Sequence, residues 1–171
     1  KALMNDSLMS VMVAHLQVPA YDSSENTPTT LSKNVVTDLL KGELGFEGLA
    51  FTDAMNMQGV AKYYDAGEAD VKALQAGNDV ILFPLDVPKA IKQIQKALKK
   101  GTLTQAMLDE RVMKILKAKY WFGLNEYKPI DTANLSKRIN NDYAIALNKL
   151  LYQKAITVVD NSDLLIPTIS V

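Results

Sequence analysis

The sequence predicts an α/β fold in which strand–helix units build a parallel sheet. Three short apolar runs have the length and composition of buried strands, and each is followed by a segment whose apolar residues keep helical spacing. Repeated alternation of this kind favours right-handed βαβ units, which place their strands in parallel. The predicted strands are 10–16, 48–52 and 79–83, and the predicted helices that follow them are 32–42, 68–75 and 87–100.

The first unit places the only histidine of the chain, His15, at the C-terminal tip of its strand. Residues 17–30 are rich in Pro, Ser and Asn, a composition typical of a loop. Ser32 then offers an N-cap, and apolar residues three and four positions apart predict a helix that ends at Gly42.

The second unit contains the most distinctive stretch of the chain, residues 44–60. Its apolar strand is bounded by Gly48 and continues directly into Asp53. A polar loop follows, and then a helix that Gly77 is expected to terminate. The third strand is closed by Pro84. Asp79, at its start, lies at the end of the sheet away from Asp53 and is expected to cap or pair.

Two further helices and a final strand are predicted after the third unit. Thr104 is the N-cap of a helix that finishes at Gly123, and a connecting segment with Pro129 follows. The connecting segment covers 125–139, the last helix 142–153 and the strand-like run 155–159. We therefore divide the chain into residues 1–124 and residues 125–171.

Composition excludes several classes of function. Nineteen basic and nineteen acidic residues cancel, so neither nucleic acid nor an anionic membrane surface is expected as a partner. No apolar stretch approaches the roughly 18 residues that a membrane-spanning helix needs, so membrane insertion is not expected. One histidine and no cysteine leave only scattered carboxylates, and no glycine-rich loop follows a strand. We therefore expect no metal and no cofactor.

The candidate site lies where the predicted strands end. Because parallel strands end at the same edge of a sheet, His15 and Asp53 are expected to face a common cleft, the usual place for chemistry in α/β folds. Asp53 is either a carboxylate nucleophile or the N-cap of the following turn. His15 either contacts the substrate or is a packed, hydrogen-bonded histidine. Met57 either lines a pocket or fills a gap in the packing.

Residues 44–60, LGFEGLAFTDAMNMQGV, resemble glycoside hydrolase family 3, in particular its bacterial β-N-acetylglucosaminidase (β-hexosaminidase) branch. The resemblance extends to both sides of this motif and covers nearly the whole chain. The further segments that resemble the family are Val13-Ala14-His15 with Pro19-Ala20, Thr30-Leu31-Ser32, residues 73–82, residues 108–112 with Ile115-Leu116, Lys119 and Phe122-Gly123-Leu124, and residues 154–159.

The resemblance implies that residues 1–124 are the C-terminal portion of a TIM-type (β/α)8 barrel with a trailing helix. Residues 125–171 would then lead to a following domain. The implied reaction is retaining hydrolysis of terminal β-linked N-acetylglucosamine, in which the aspartate at the Asp53 position forms a covalent glycosyl-enzyme. The resemblance also implies that Met57 lines the sugar site and that His15 lies close to the cleft. The expected partner is a carbohydrate, and a bacterial cytoplasm and periplasm fit equally well.

One departure from the family is important. In this branch the general acid/base is a histidine, paired with an aspartate on a loop upstream of the His15 strand. A Lys-His pair that binds the sugar also lies upstream. His15 is the only histidine here and belongs to a different motif. We therefore expect the acid/base to lie upstream of this chain and residues 1–171 alone to be inactive. An open strand edge would need the missing half of the barrel or self-association to cover it.

Three other interpretations of the sequence are open. The β-glucosidase and β-xylosidase branches of the family tend to have Trp after the aspartate, where this chain has Ala54. A phosphorelay receiver domain would need an acidic, Mg²⁺-binding pair at the tip of the first strand, where Ala14 and His15 stand. A non-catalytic α/β binding domain is the third interpretation.

Overall fold

The computed structural model describes residues 8–159, in two units that divide between Glu126 and Tyr127. The first unit contains β1 (Ser10–Val13), a 3₁₀ turn (Thr29–Leu31), a π-helix (Asn34–Glu43), β2 (Leu49–Thr52), α1 (Gln58–Ala61), α2 (Glu68–Ala76), α3 (Val87–Lys99), α4 (Gln105–Trp121) and a second 3₁₀ turn (Leu124–Glu126). The second unit contains α5 (Leu135–Ile139) and α6 (Asp142–Ala155).

The parallel pairing predicted from the alternation is confirmed for the first two strands. β1 and β2 run in parallel, with a register from Ser10 opposite Leu49 to Val13 opposite Thr52. Val80 adds a single parallel bridge to Phe51 on the other side of β2. β2 therefore lies between β1 and the Val80 segment, and its C-terminal tip is flanked on both sides.

The first and third strands are shorter than predicted, because side chains take over the hydrogen bonds at their ends. The Thr29 hydroxyl donates to the carbonyl oxygen of Ala14, the first residue after β1, at 2.6 Å. The third predicted strand, 79–83, is reduced to its bridge. Leu82 N–H donates to the side chain of Thr52, at 2.9 Å, and Phe83 has a positive φ of 50°. Both features take the chain out of the ladder.

The helix predicted from Ser32 begins at Asn34 and is a π-helix. Its apolar spacing predicts an α-helix, but Leu44 N–H donates to Leu39 O, five residues back, at 2.8 Å. Ser32 is not a regular N-cap. Its hydroxyl donates to Asp22 Oδ2 at 2.5 Å and accepts only a long bond, 3.4 Å, from a main-chain N–H of the first turn.

The remaining helices follow the predicted signals closely. α2 ends at Gly77, whose φ is +112°, and α4 is capped by Thr104, whose Oγ1 accepts from Met107 N–H at 3.2 Å. The short helices α1 and α5 were not predicted. The prediction of a strand at 155–159 is wrong, since Ala155 is still part of α6 and Ile156 is its C-cap.

The core of the first unit consists of three apolar clusters around the strands and helices. The first contains Leu31, Met55, Val60, Ala69 and Ala73; the second Val36, Ala50 and Ala76; the third Leu74, Ala97 and Leu103. Arg111 of α4 is buried and donates to main-chain oxygens of Leu74 and Asn78, both at 2.8 Å. It thereby fixes α4 to the C-terminal end of α2.

The buried carboxylate of Asp79 binds the N-terminal half of β2. The prediction that Asp79 forms a pair is confirmed. Asp79 accepts from Ala50 N–H at 2.8 Å, from Lys41 Nζ at 3.0 Å and from Lys114 Nζ at 3.3 Å. Lys114 also donates to the main-chain oxygen of Gly48, at 2.7 Å. Burial lowers the pKa of Lys41, and the hydrogen bond to Asp79 opposes that shift.

The second unit is held together by local interactions. α6 begins with Asn141 as its N-cap, whose Oδ1 accepts from Ala144 N–H at 2.9 Å, and the apolar side chains of α6 are exposed. Across residues 8–159, no helix combines the length and the apolar character that crossing a membrane requires.

Candidate active site

Main-chain hydrogen bonds fix the position of Asp53 from both sides of β2. Asp53 N–H donates to Val13 O of β1 at 3.0 Å. Two residues later, Met55 N–H donates to Leu82 O at 2.9 Å, on the Val80 side. The chain leaving β2 is therefore held at the C-terminal edge of the sheet, where the sequence predicted the site.

One oxygen of the Asp53 carboxylate is anchored and the other is free. Oδ1 accepts from the N–H of the next residue, Ala54, at 2.8 Å, while Oδ2 has no hydrogen-bond partner within residues 8–159. The side chain is only partly buried. The alternative that Asp53 caps the following turn is met only in part, because Oδ1 does accept a main-chain N–H, but from the next residue. A regular N-cap accepts from the second or third residue, and Met55 N–H donates to Leu82 O instead.

His15 lies beside the Asp53 segment, as its predicted place at the neighbouring strand tip requires. Its Nε2 is 3.0 Å from Ala54 O, and its Nδ1 is 2.9 Å from Thr30 Oγ1. A carbonyl oxygen can only accept, so Nε2 carries a hydrogen and donates it to Ala54. Both ring nitrogens are thus engaged by the protein itself.

Thr30 is a site residue that sequence reasoning did not identify. It is fully buried, and its hydroxyl lies within hydrogen-bond distance of Ala14 O, at 2.7 Å, as well as of His15. Fourteen residues lie between His15 and Thr30, nearly all of them in a loop, and no sequence periodicity connects two residues across a loop.

The two methionines after Asp53 have different environments. Met55 is buried with Leu31 and Val60 in the core. Met57 is 45% exposed at the start of α1, so part of this residue lies at the surface. Gly59 of α1 packs against the histidine, since a Cβ at this position would lie 3.2 Å from His15 Cβ.

The loop before Thr30 is ordered by a second carboxylate. The Ser32 hydroxyl, and after it Ser24, hydrogen-bond to Asp22 and lower the pKa of that carboxyl. The hydrogen bond from Ser32 ties the loop to the segment that carries Thr30.

A cavity of about 370 Å³ lies at the opposite end of the strands. Leu8 and Met9 precede β1 in its lining, and Gly48 precedes β2. The cavity is therefore separate from the Asp53 site.

Comparison with known proteins identifies the family. The model of the "Glycosyl hydrolase family 3 N terminal domain" matches residues 1–118 of this chain. The chain belongs to glycosyl hydrolase family 3. The N-terminal domain of this family is of the (β/α)8-barrel type, and the parallel pairing of β1 and β2 is compatible with it.

Similar proteins include enzymes with three different names. Beta-hexosaminidase A of Pseudoalteromonas piscicida is 30% identical over 127 residues, which are 64% of this chain and 21% of the relative. A family 3 beta-N-acetylglucosaminidase structure from Paenibacillus sp. str. FPU-7 is 31% identical, with a TM-score of 0.70 over 74% of this chain and 24% of the other. Beta-glucoside phosphorylase BglX is 29% identical, with a TM-score of 0.83 over 98% of this chain and 32% of the other.

The 171 residues span about a third or less of each of these proteins. The family and its hexosaminidase relatives are glycoside hydrolases.

Proposed function

We propose that the protein is a retaining exo-glycosidase that removes terminal β-linked N-acetylglucosamine, with Asp53 as its nucleophile. The main observation behind this proposal is the hydrogen bonding and position of the Asp53 carboxylate. One oxygen is anchored by a main-chain N–H, the other has no partner among the described residues, and the whole group stands at the C-terminal tip of a central parallel strand. A nucleophile needs this combination of fixed orientation and one free oxygen.

The proposed reaction has two displacements at the anomeric carbon. In the first, Oδ2 of Asp53 forms a bond to that carbon while the bond to the leaving oxygen breaks, and a general acid protonates the leaving group. In the second, water attacks the same carbon, its proton passes to the conjugate base, and the bond to Asp53 breaks. Two inversions give net retention. The acid/base histidine of the family has no counterpart in residues 1–171, so we place that group outside them.

The partial barrel is part of the same proposal. β1, β2 and the Val80 segment would be the last three strands of a (β/α)8 barrel, and residues 125–171 would lead to a following domain. Among the described residues, β1 pairs only with β2, so its other edge is open. We propose that the remaining barrel strands cover this edge, or that a second copy of the chain does so.

The choice of sugar rests on the hexosaminidase relatives and on the residues next to the nucleophile. Ala54 follows Asp53 where the glucosidase branches tend to have Trp, which leaves more room beside the nucleophile. Met57, nearly half exposed, would supply an apolar wall for the sugar.

Substitution of the nucleophile tests the proposal. Asp53→Asn in the full-length protein should lower kcat for an aryl β-N-acetylglucosaminide by at least about a thousandfold, since an amide cannot form the ester intermediate. Asp65→Asn is the matched control, because Asp65 is exposed and lies on the same connection. It should retain activity within about twofold, as surface substitutions usually do. Retention of more than a tenth of the activity by Asp53→Asn would refute the role of Asp53.

A second candidate function is phosphorolysis of a β-glucoside. The structural similarity to a β-glucoside phosphorylase covers 98% of this chain, more than the similarity to the N-acetylglucosaminidase does. In that reaction inorganic phosphate replaces water in the second displacement and the product is a sugar 1-phosphate. Turnover of aryl β-glucoside and β-N-acetylglucosaminide, each with and without phosphate, separates the two functions. Phosphate-dependent release of sugar 1-phosphate would favour the second candidate.

A further inference from the structure

We propose that His15 is a positioning residue for Asp53, which acts through the main chain of Ala54 and does not bind the sugar. The proposal rests on the proposed function, because it takes Asp53 as the nucleophile. In this arrangement the imidazole does not contact the substrate and is hydrogen-bonded within the protein instead.

The imidazole has no polar atom left for a ligand. Its Nε2 donates to Ala54 O at 3.0 Å, and its Nδ1 is 2.9 Å from the hydroxyl of Thr30. A histidine ring has only these two nitrogens. A hydroxyl of the sugar would have to displace one of these partners in order to hydrogen-bond to the ring.

Ala54 connects the histidine to the nucleophile. Its carbonyl oxygen accepts from His15 Nε2 and from Met57 N–H, both at 3.0 Å, and its N–H donates to Asp53 Oδ1 at 2.8 Å. The two groups belong to the peptide units on either side of the Ala54 Cα. The bond from His15 therefore restricts rotation of the residue that orients the carboxylate.

The sheet itself does not hold Ala54. The main-chain bonds to the neighbouring strands come from Asp53 N–H, to Val13, and from Met55 N–H, to Leu82. Ala54 lies between these two fixed points. Within residues 8–159, its only hydrogen bond to a segment outside the Asp53 turn is the one from His15.

His15 is itself held from two sides. Thr30, which is fully buried, contacts its Nδ1, and Gly59 brings α1 so close that a Cβ there would lie 3.2 Å from His15 Cβ. A group fixed in this way can transmit its own position to its partner, whereas a ligand-binding side chain needs a free donor or acceptor.

Two amide substitutions of His15 separate its two hydrogen bonds. The Nε2 of Gln has about the reach of the histidine Nε2, so His15→Gln keeps a donor for Ala54 O and loses the contact with Thr30. The amide of Asn reaches only to the Nδ1 position, so His15→Asn keeps the contact with Thr30 and loses the bond to Ala54. Steady-state kcat and KM on an aryl β-N-acetylglucosaminide would be measured for both variants in the full-length protein, together with the melting temperature.

A positioning role gives an unequal result for the two variants. We expect kcat to fall roughly ten- to a hundredfold in His15→Asn but less than about fivefold in His15→Gln, with KM changed less than about threefold in both, because small misplacements of reacting groups cost rates of this order. Gly59→Ala keeps every polar group and displaces the ring by a few tenths of an ångström. It should lower kcat severalfold with KM unchanged, which keeps the proposal testable if a His15 variant does not fold.

Other outcomes overturn the proposal. A rise in KM in both His15 variants at constant kcat would make the histidine a sugar ligand. Equal losses of kcat in the two variants, or no loss in either, would show that the bond to Ala54 is not what orients the carboxylate. Failure of the proposed function is recognised separately, by retention of more than a tenth of the activity in Asp53→Asn, and would refute the positioning role with it.

Discussion

Asp53 and His15 lie next to each other because parallel strands end together. They are nearly forty residues apart in sequence but adjacent at the edge of the sheet, where His15 hydrogen-bonds to the residue that follows Asp53. This juxtaposition could be predicted from the pattern of strands alone. The partners of the two side chains could not, because Thr30 is on a loop and Ala54 contributes main-chain atoms, which carry no signature in the sequence.

Asp70 is a second carboxylate whose environment the sequence did not reveal. It stands in the first turn of α2, where an acidic residue is ordinarily solvated and stabilised by the helix dipole. In the structure it is buried, and its Oδ1 has no hydrogen-bond partner. Burial, opposed by main-chain hydrogen bonds from Gly67 and from Asp70 itself, raises the pKa of this carboxyl.

We expect Asp70→Asn to stabilise the protein at pH 7. The pKa of Asp70 is higher in the folded protein than its ordinary value of 3.8, so folding favours the protonated carboxyl. This contribution to the free energy of unfolding is complete below pH 3.8 and is lost as the pH rises through the folded-state pKa. The amide cannot ionise and avoids this loss. The gain should be below about 1 kcal/mol, because the amide removes the buried charge but still leaves a polar group without a partner.

Denaturant unfolding at several pH values tests this prediction. The difference in unfolding free energy between Asp70→Asn and wild type should grow from about pH 3.5 to pH 7. Glu68→Gln is the control, since Glu68 is an exposed acid in the same helical turn. It should show no such gain. A difference that shrinks with rising pH would mean that Asp70 is stabilised in its ionised form.

At the scale of the elements, local signals predicted helix ends better than strand ends. Thr104 and Gly77 fix the beginning of α4 and the end of α2 through their own side-chain or backbone geometry, which is local and therefore readable. The predicted strand at 79–83 fails for a tertiary reason. The side chain of Thr52, on another strand, takes the N–H of Leu82.

The position of β2 depends on the charged cluster around Asp79. The side chain of Asp79 is 2% exposed and faces two lysines that keep about a quarter of their surface in contact with water. Asp79→Ala leaves the N–H of Ala50 without a partner and both lysines without a counter-ion. We expect the free energy of unfolding to fall by about 3 kcal/mol, the lower end of the range for a broken buried ion pair, because the lysines can turn toward water.

A surface ion pair offers a matched control. Lys33 Nζ lies 2.6 Å from Asp38 Oδ1, and more than half of each side chain is exposed. Asp38→Ala should therefore lower the free energy of unfolding by less than about 1 kcal/mol. Urea unfolding gives the free energy of unfolding of both variants and of the wild type. Equal effects of Asp79→Ala and Asp38→Ala would show that the Asp79 cluster does not anchor β2.

At the scale of the whole molecule, the family is established, and of the catalytic pair that we propose only the nucleophile lies in this sequence. The family model covers residues 1–118, and β2, which carries Asp53 at its tip, lies inside that match. The only histidine of the chain is already engaged by Thr30 and Ala54. We propose that the general acid lies outside residues 1–171, which is why we expect these residues alone not to hydrolyse a glycoside.

Covalent trapping tests the central claim, the role of Asp53 as nucleophile, most directly. The full-length protein would be incubated with a fluorinated, mechanism-based N-acetylglucosaminide analogue, digested, and mapped by mass spectrometry. We expect one sugar adduct, located on the peptide that contains Asp53 and absent from Asp53→Asn. An adduct on another residue, or no adduct on a folded protein that hydrolyses the parent substrate, would contradict the claim.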